Sequence, residues 1–502
     1  MSESGLKREL GFLTATLFGV GGTLSAGNFV ILGHAASLAG TSLVIIVFLC
    51  GIISMLTMLS YCELSTAIPK AGSEYTWSKV AFGGFFSFLT GWFQWTSNIF
   101  YASLSALGLA YMISYFFPLN IPLTAVSIIL IFTLINIRGV KSAAIAETFV
   151  TLIVMVMLAL YVADGWTYSL KLQGFELNAP NGLWGCFAAT SFLFELYLGA
   201  EAIAVAQAEI KDPERVIPRA MILSSLILIV LYTSVVYVTV RVVPIEVLRE
   251  QTSPIAFAAE LIMGKAGAML ISGVIIIAGL AAVNSAVMAQ SRILYALSRD
   301  RYLPGVLSAI HGRFHSPHVA SLFSLIFTVA VTLLGAVNFV AYLVNFGFVI
   351  GFAFVNLSLI KLRKKKPWMR RPFKSPLFPV VPLAGISISI ILLLFLDKAA
   401  LIVGGESIMF ALLAYYLRMV GYSRLRLAVG GISLGTGVFT AFLAFMAETR
   451  LVMFNLPGLK AIPPAYIMIS VAFIQVLAGI LNIVPTSPKS GHPKSEGKDN
   501  KV

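Results

Sequence analysis

A glycine-rich segment near the amino terminus contains the first residues whose types and spacing could do chemistry. It covers residues 19–33, GVGGTLSAGNFVILG, and apolar sequence flanks it on both sides. A helix in lipid satisfies its own backbone, so an interruption here would free N–H and C=O groups at mid-membrane depth. Freed amides at the start of a half-helix favour an anion, and freed carbonyls favour a cation. Both together suit a zwitterion, whereas the alternative interpretation is that the glycines only allow close helix packing.

Two acidic residues mark a second unusual segment, SFLFELYLGAEAIAVAQAEIKDPERVIPRA, at residues 191–220. Glu195 and Glu201 lie deep in its apolar part and bracket Gly199. A charge at such a position costs at least about 2.5 kcal/mol on insertion scales, so ionisable residues inside a span indicate function. Glu195 precedes the expected break and is the better candidate for a role at a bound solute. The alternative role for Glu201 is that of a hydrogen-bond anchor for the broken backbone.

Two further polar residues, Asn284 and Ser285, lie at mid-depth of a later apolar stretch. They could bind a cation or hydrogen-bond to a neighbouring helix, and the second interpretation is preferred. With Glu201 they are the candidates for coupling or gating. We find no P-loop motif, no convincing nucleophile–base pair and no metal-ligand cluster in the sequence. The sequence therefore predicts neither an enzyme nor a nucleotide-driven pump, and we expect no cofactor and no metal.

The elements that must position these residues are membrane-spanning helices. Hydrophobic residues make up 59% of the chain and charged residues 11%, against about 25% charged in soluble domains. Apolar stretches of roughly 20 residues, long enough to cross a bilayer, recur along the chain. We expect fourteen spans, at residues 11–38, 41–65, 84–116, 121–137, 143–164, 186–209, 218–240, 267–297, 318–336, 338–361, 377–396, 400–418, 425–446 and 464–484.

The distribution of Lys and Arg predicts the orientation of these spans. An even number of spans places both termini on one side, and the basic loops make that side the cytoplasm. The run KLRKKKPWMRRPFK at 361–374 contains eight of the 35 basic residues. The net charge of +14 is therefore a topology signal, and we expect no nucleic-acid partner. Residues 1–10 are expected to be cytoplasmic and residues 485–502 to form a disordered cytoplasmic tail.

The spacing of the two unusual segments predicts the domain organisation. They fall in the first and sixth spans, five helices apart, as two inverted five-helix repeats require. The sequence thus predicts an all-α, polytopic fold with a ten-helix core over residues 11–361, made of repeats at about 11–165 and 186–361. A basic cytoplasmic loop at 362–376 and four additional spans within 377–484 would follow.

Four motifs, in the right order, resemble the amino acid–polyamine–organocation (APC) superfamily of transporters. They are G19-V-G-G-T-L-S-A-G-N-F29, YCELSTAIPKAGSEYTWSKVAFG (61–83), GAEAIAVAQAEIKDPERVIPRA (199–220) and SRILYALSRDRYLP (291–304). The resemblance covers roughly residues 10–360 and implies a LeuT-type 5+5 inverted repeat with helices 1 and 6 broken. It implies a permease of the cell membrane that moves an amino acid by alternating access, either coupled to protons or sodium or working as an exchanger.

The resemblance also implies which residues hold the substrate. They lie in the two broken segments: Thr23, Ser25, Ala26, Gly27, Glu195, Tyr197, Leu198 and Gly199. In the family, backbone amides of the first break hold the substrate carboxylate, which here maps to residues 25–27. Backbone carbonyls hold the α-amine, which maps to Thr23, Glu195 and Leu198, and an aromatic residue at the position of Tyr197 helps to close the site.

The sequence departs from the family pattern at three places. Ser25 replaces a glycine and Asn28 an apolar residue, so we expect a more polar carboxylate pocket. Glu195 stands where an aromatic or apolar residue is usual, which suits a cationic side chain or a titratable coupling group. Val154 replaces the lysine of some proton-coupled members, which argues against coupling through that position. The expected number of spans, fourteen, resembles that of the cationic amino acid transporter branch of the family.

Transport of a polyamine or another organic cation is the alternative function. In that case Glu195 and Glu201 would bind the amines, and the carboxylate site would be dispensable. The expected partners are a small-molecule amino acid substrate and membrane lipid, and the expected assembly is a monomer or a homodimer.

Overall fold

The computed structural model describes residues 10–69, 72–138, 144–172, 174–419, 424–448 and 464–483. The predicted disordered tail and all but Leu10 of the predicted N-terminal segment lie outside these residues. Contacts divide the chain into two compact units. Among the described residues, the first unit covers 10–300 and 304–405, and the second covers 301–303 and the residues from Glu406 onward.

The described chain is helical, and its helices are numbered here in chain order. The first ten are α1 (Phe12–Thr23), α2 (Ala26–Val30), α3 (Leu32–Ala39), α4 (Leu43–Ala67), α5 (Ser73–Phe82), α6 (Gly84–Ser114), α7 (Ile121–Arg138), α8 (Ala144–Ser169), α9 (Gly182–Leu193) and α10 (Ala202–Val205). The others are α11 (Pro213–Val242), α12 (Ile245–Leu248), α13 (Pro254–Arg299), α14 (His318–Leu333), α15 (Val337–Lys365), α16 (Val380–Leu394), α17 (Lys398–Met419), α18 (Arg424–Glu448) and α19 (Pro464–Ile483).

Eight helices in the described part are long and apolar enough to cross a membrane, and four shorter apolar helices accompany them. Many of their large apolar side chains face outward, as expected where the surroundings are lipid. A helical chain with this many apolar helices is a polytopic membrane protein.

Two of the predicted spans are not continuous helices. The first, residues 11–38, consists of α1, α2 and α3, and the backbone between α1 and α2 is extended at Leu24 and Ser25. The sixth, residues 186–209, consists of α9, a 3₁₀ turn over Phe194–Tyr197, α10 and a second 3₁₀ turn over Gln207–Glu209. A parallel bridge between Leu10 and Ile210 joins the start of the first segment to the end of the sixth.

Two helices differ at their starts from the sequence prediction. Helix α11 begins at Pro213 and not at Pro218, because Pro213 takes the first helical position, where its missing N–H costs nothing. Pro218 then removes one hydrogen bond from a helix of 30 residues. Helix α13 begins at Pro254, and its backbone is non-helical at Gly264, where φ is 71° and ψ is −176°. The span predicted at 267–297 lies in the regular helix that follows this glycine.

In the second unit, α18 and α19 pack closely through small residues. The Ser433 hydroxyl donates to the carbonyl of Gln475 at 3.0 Å. A Cβ on Gly430 would lie 3.0 Å from the carbonyl oxygen of Gly479, so a larger residue would push the helices apart. Such small-residue contacts are typical of helix pairs in membranes.

Candidate functional site

The first interruption contains a short extended segment that ends in a helix cap. Leu24 and Ser25 are extended, and the Ser25 hydroxyl accepts a hydrogen bond from the amide of Gly27 at 3.2 Å. The Ser25 hydroxyl also pairs with that of Ser105 at 2.9 Å. The amides of Ser25 and Ala26 have no hydrogen-bond acceptor among the described residues. Of the three amides that the resemblance assigns to a carboxylate, two are therefore unpaired and the third is capped by a side chain.

The second interruption is anchored by a carboxyl group. Leu198 is extended, Gly199 has a φ of +129°, and the amide of Gly199 donates to Oε2 of Glu201 at 2.7 Å. The amide of Leu198 donates to the carbonyl of Glu195 at 3.0 Å, so this carbonyl already has a partner. The Glu201 carboxyl thus fixes the broken backbone, which is the alternative role considered for it from the sequence.

The two interruptions contact each other through their backbones. A Cβ added to Gly199 would lie 2.3 Å from the carbonyl oxygen of Gly22 and 2.6 Å from the nitrogen of Thr23. Such distances are impossible for a real side chain, so glycine at position 199 is what allows this contact. Tyr101 adds a long hydrogen bond of 3.4 Å from its hydroxyl to the same Gly22 carbonyl.

Two residues outside the predicted site hold the carbonyl of Thr23. The Asn28 side-chain amide donates to it at 2.9 Å, and the Tyr232 hydroxyl donates to it at 3.0 Å. Asn28 also donates to the Tyr232 hydroxyl at 3.0 Å. Asn28 was noticed in the sequence only as a departure from the family pattern. Tyr232 lies in helix α11 beside Thr233 and Ser234, and its sequence signal is that of a polar aromatic residue inside a span.

Glu195 lies beside the second interruption as a carboxyl group without a partner. Its side chain is fully buried, and neither carboxyl oxygen has a hydrogen-bond partner among the described residues. Burying such a group costs several kcal/mol unless a proton or a cation neutralises it. The Glu195 side chain is therefore suited to bind a proton or a cationic group.

Tyr197 points toward the neighbouring helix α4. Its hydroxyl donates to the carbonyl of Val47 at 2.8 Å, and its ring meets the Tyr232 ring edge-on with centroids 5.7 Å apart. Because Tyr232 in turn contacts Thr23, Tyr197 reaches the first interruption through Tyr232. The closing aromatic residue implied by the resemblance thus has a fixed partner on α4.

Helices α6 and α13 pack tightly on the first interruption. A Cβ on Gly108 would lie 2.4 Å from the nitrogen of Gly27, and a Cβ on Gly279 would lie 2.8 Å from the Cβ of Ala26. A cavity beside Gly21 and Leu24 measures about 10 Å³, which is the lower limit for one water molecule. An amino acid does not fit in this cavity, so binding at the unpaired amides requires the surrounding helices to move.

The polar pair on α13 lies further along that helix. The Asn284 side-chain oxygen accepts a hydrogen bond from Asn136 of α7 at 2.9 Å, and Ser285 is half-buried. Gly279, by contrast, is an α13 residue that packs on the first interruption. The structure therefore brings Asn284 to a neighbouring helix and not to the interruption.

A polytopic chain whose two interrupted helices meet in the interior of the bundle has the features of a membrane transport protein. The chain belongs to the amino acid permease family, because the family model described as "Amino acid permease" matches residues 10–420. This confirms the predicted membership of the APC superfamily, and it makes the protein a multi-pass membrane permease and not an enzyme.

Three relatives illustrate the family. The branched-chain amino acid permease BcaP of Bacillus subtilis (strain 168) is 28% identical, over 84% of this chain and 95% of its own. The methylthioribose transporter of the same organism is 31% identical, over 76% of this chain and 87% of its own. The serine/threonine exchanger SteT, also of this organism, is 26% identical, over 77% of this chain and 90% of the exchanger's chain.

Proposed function

We propose that the protein is a secondary active transporter that moves an amino acid across the cytoplasmic membrane by alternating access. The proposed fold is a LeuT-type 5+5 inverted repeat with fourteen transmembrane helices and both termini in the cytoplasm. The direct contact between the two interruptions at Gly22 and Gly199 carries this proposal. Relatives named as a branched-chain amino acid permease and a serine/threonine exchanger support amino acids as the substrate class.

The polar groups at the interruptions suggest how an amino acid is bound. The unpaired amides of Ser25 and Ala26 would receive the substrate carboxylate at the start of α2. The α-ammonium would take the Thr23 carbonyl from Asn28 and Tyr232, which now donate to it. Each lost hydrogen bond contributes only about 1 kcal/mol, and a charged donor replaces it with a stronger one.

Transport of an organic cation is the second candidate function, and the buried Glu195 carboxyl favours it. A cationic side chain or a polyamine nitrogen would neutralise Glu195 and provide its missing hydrogen bonds. In this case a substrate without a carboxylate would bind as well as an amino acid does.

Uptake into proteoliposomes tests both candidates. Labelled leucine, serine and arginine would be supplied separately, with unlabelled putrescine as a competitor. If Glu195 selects a cationic side chain, Glu195→Gln lowers arginine uptake more than leucine uptake, while Glu246→Gln, at an exposed position of α12, changes neither. An equal loss for both amino acids would contradict a role in selectivity. Competition by putrescine at the level of arginine would favour the organic cation.

A larger side chain at Gly27 tests whether the backbone amides of the first interruption bind the substrate. A Cβ on Gly27 would already lie 2.8 Å from the Leu104 side chain and 3.1 Å from its carbonyl oxygen. We expect Gly27→Val to abolish amino acid binding while the protein still inserts into the membrane. Binding retained by this variant would refute the proposed site.

A further inference from the structure

The short helix α5 buries a carboxyl group that the proposed transport site does not use. Glu74 lies in the first turn of this helix and is only 3% exposed, although the surrounding connector is rich in charged and polar residues. The Tyr61 hydroxyl of α4 donates a hydrogen bond to Oε1 of Glu74. Oε2 has no hydrogen-bond partner among the described residues and faces α15, where a Cβ on Gly351 would lie 3.0 Å from it.

Among the described residues, no basic side chain neutralises this carboxyl group. Arg363 and Arg371 both bind Glu63, and Lys79 binds Asp300 at 2.7 Å. Within the described part of the chain, Glu74 forms no ion pair with Lys, Arg or His. A carboxyl group that is buried without a cation favours its protonated form. The ligand that suits Glu74 is therefore a proton.

Tyr61 lies between Glu74 and the interior of the bundle. Its ring is fully buried and packs edge-on against Trp77 and Phe352, with centroids 5.2 and 5.7 Å away. Phe352 in turn packs against Phe194, in the 3₁₀ turn that precedes the second interruption. A continuous set of side chains thus connects Glu74 to that interruption.

The groups that face Glu74 bring its titration near neutral pH. Burial raises the pKa of the Glu74 carboxyl to about 7. The hydrogen bond from Tyr61 of α4 lowers this pKa, the Glu201 carboxyl raises it, and the Gln94 carboxamide of α6 lowers it. On α15 the facing residue is Gly351, which has no charge. The dependence on Glu201 means that the two carboxyl groups repel each other when both are ionised.

We propose that Glu74 is the proton-binding site of a proton-coupled transport cycle, connected to the second interruption through Tyr61, Phe352 and Phe194. This inference rests on the proposed function and names the coupling ion. A proton on Glu74 keeps this buried carboxyl group neutral. Release of the proton to water leaves a charged carboxylate beside the Tyr61 hydroxyl, and the packed rings of Tyr61, Phe352 and Phe194 transmit the rearrangement to the 3₁₀ turn that precedes Gly199.

Transport by the full-length protein in proteoliposomes tests the coupling. Labelled leucine is supplied with and without a pH gradient, and a trapped pH-sensitive dye reports proton movement. With one proton per substrate, each pH unit of gradient supports about tenfold accumulation. We expect Glu74→Gln to lose this accumulation and the dye signal, while leucine counterflow at equal pH stays measurable. The control Glu246→Gln should behave like the wild type.

A second variant keeps the inference testable if Glu74→Gln does not fold. Tyr61→Phe keeps the buried ring and removes the hydrogen bond that lowers the pKa of Glu74. The pH of half-maximal leucine uptake should therefore rise, and an unchanged midpoint would overturn the inference.

The two proposals fail in different ways. Accumulation by Glu74→Gln equal to that of the wild type would overturn the proton site, and so would wild-type uptake without any dye signal. Failure of the proposed function would instead appear as no wild-type counterflow for any amino acid tested.

Discussion

Adding one methyl group at Gly199 should separate the two interruptions. Gly199 has a φ of +129°, and the Cβ of an alanine there would lie 2.3 Å from the Gly22 oxygen and 2.5 Å from the Gly22 carbonyl carbon. All the atoms that it meets at these distances belong to backbone, so no side-chain rotation relieves the clash. Gly199→Ala must therefore either move the second interruption or change its backbone conformation.

The cost of this substitution has two parts. A residue with a Cβ at this backbone conformation costs about 1–3 kcal/mol, and overpacking costs about 1–3 kcal/mol more. The total of about 2–6 kcal/mol weakens the closed contact at least about thirtyfold, since each 1.4 kcal/mol is a factor of ten. The matched control is Gly273→Ala in α13, because no atom lies within 4 Å of a Cβ at that position.

Thermal unfolding in detergent and leucine counterflow would measure the effect. We expect Gly199→Ala to lower the unfolding temperature and the counterflow rate, and Gly273→Ala to leave the counterflow rate unchanged. A Gly199→Ala protein with the stability and the counterflow of the Gly273→Ala control would show that the interruptions do not need to touch, and the reasoning from their contact would fail.

Three further predictions concern individual polar side chains. Burial raises the Glu74 pKa from 4.5 to about 7, so the free energy of unfolding should fall by about 3 kcal/mol as the pH rises from 4.5 to 7. The unfolding temperature measured against pH should change less over this range for Glu74→Gln than for the wild type. Glu63→Ala removes the carboxylate that pairs with two arginines, and we expect it to lower the free energy of unfolding by about 3–5 kcal/mol. Glu214→Ala, at an exposed ion pair, should lower it by only about 0–1 kcal/mol. Chemical denaturation compares these two variants. Tyr232→Phe removes a donor to the Thr23 carbonyl and should cost about 1–3 kcal/mol in the same assay.

The sequence located both interruptions because their cause is local. Glycine and small polar residues crowd positions 19–28, and Gly199 lies between two acidic residues in an apolar stretch. The backbone is extended at Leu24 and Ser25 and again at Leu198, inside these two segments. The helical segment before Gly264 was not predicted, since the predicted span at 267–297 begins after this glycine.

The partners across the interruptions depend on packing between distant parts of the chain. Asn28 and Tyr232 are separated by 204 positions, and no local pattern indicates that both hold the Thr23 carbonyl. The burial of Glu74 was equally hidden, because its connector has the composition of a solvated loop. Glu201 was the easier case: a carboxyl group two residues from a glycine break is within reach of the freed amide.

The closed contact between the interruptions is held by terms that a small zwitterion can replace. Two hydrogen bonds hold the Thr23 carbonyl in the first interruption. A third, from the Gly199 amide to Glu201, stabilises the second interruption. At about 1 kcal/mol for a neutral hydrogen bond and 1.5–3 for one to a charged group, their sum is only a few kcal/mol. An ammonium bound at the Thr23 carbonyl and a carboxylate bound at the amides of Ser25 and Ala26 would return energies of the same size. Opening and binding would then nearly balance, as the proposed alternating access requires if the substrate is to be released on the other side.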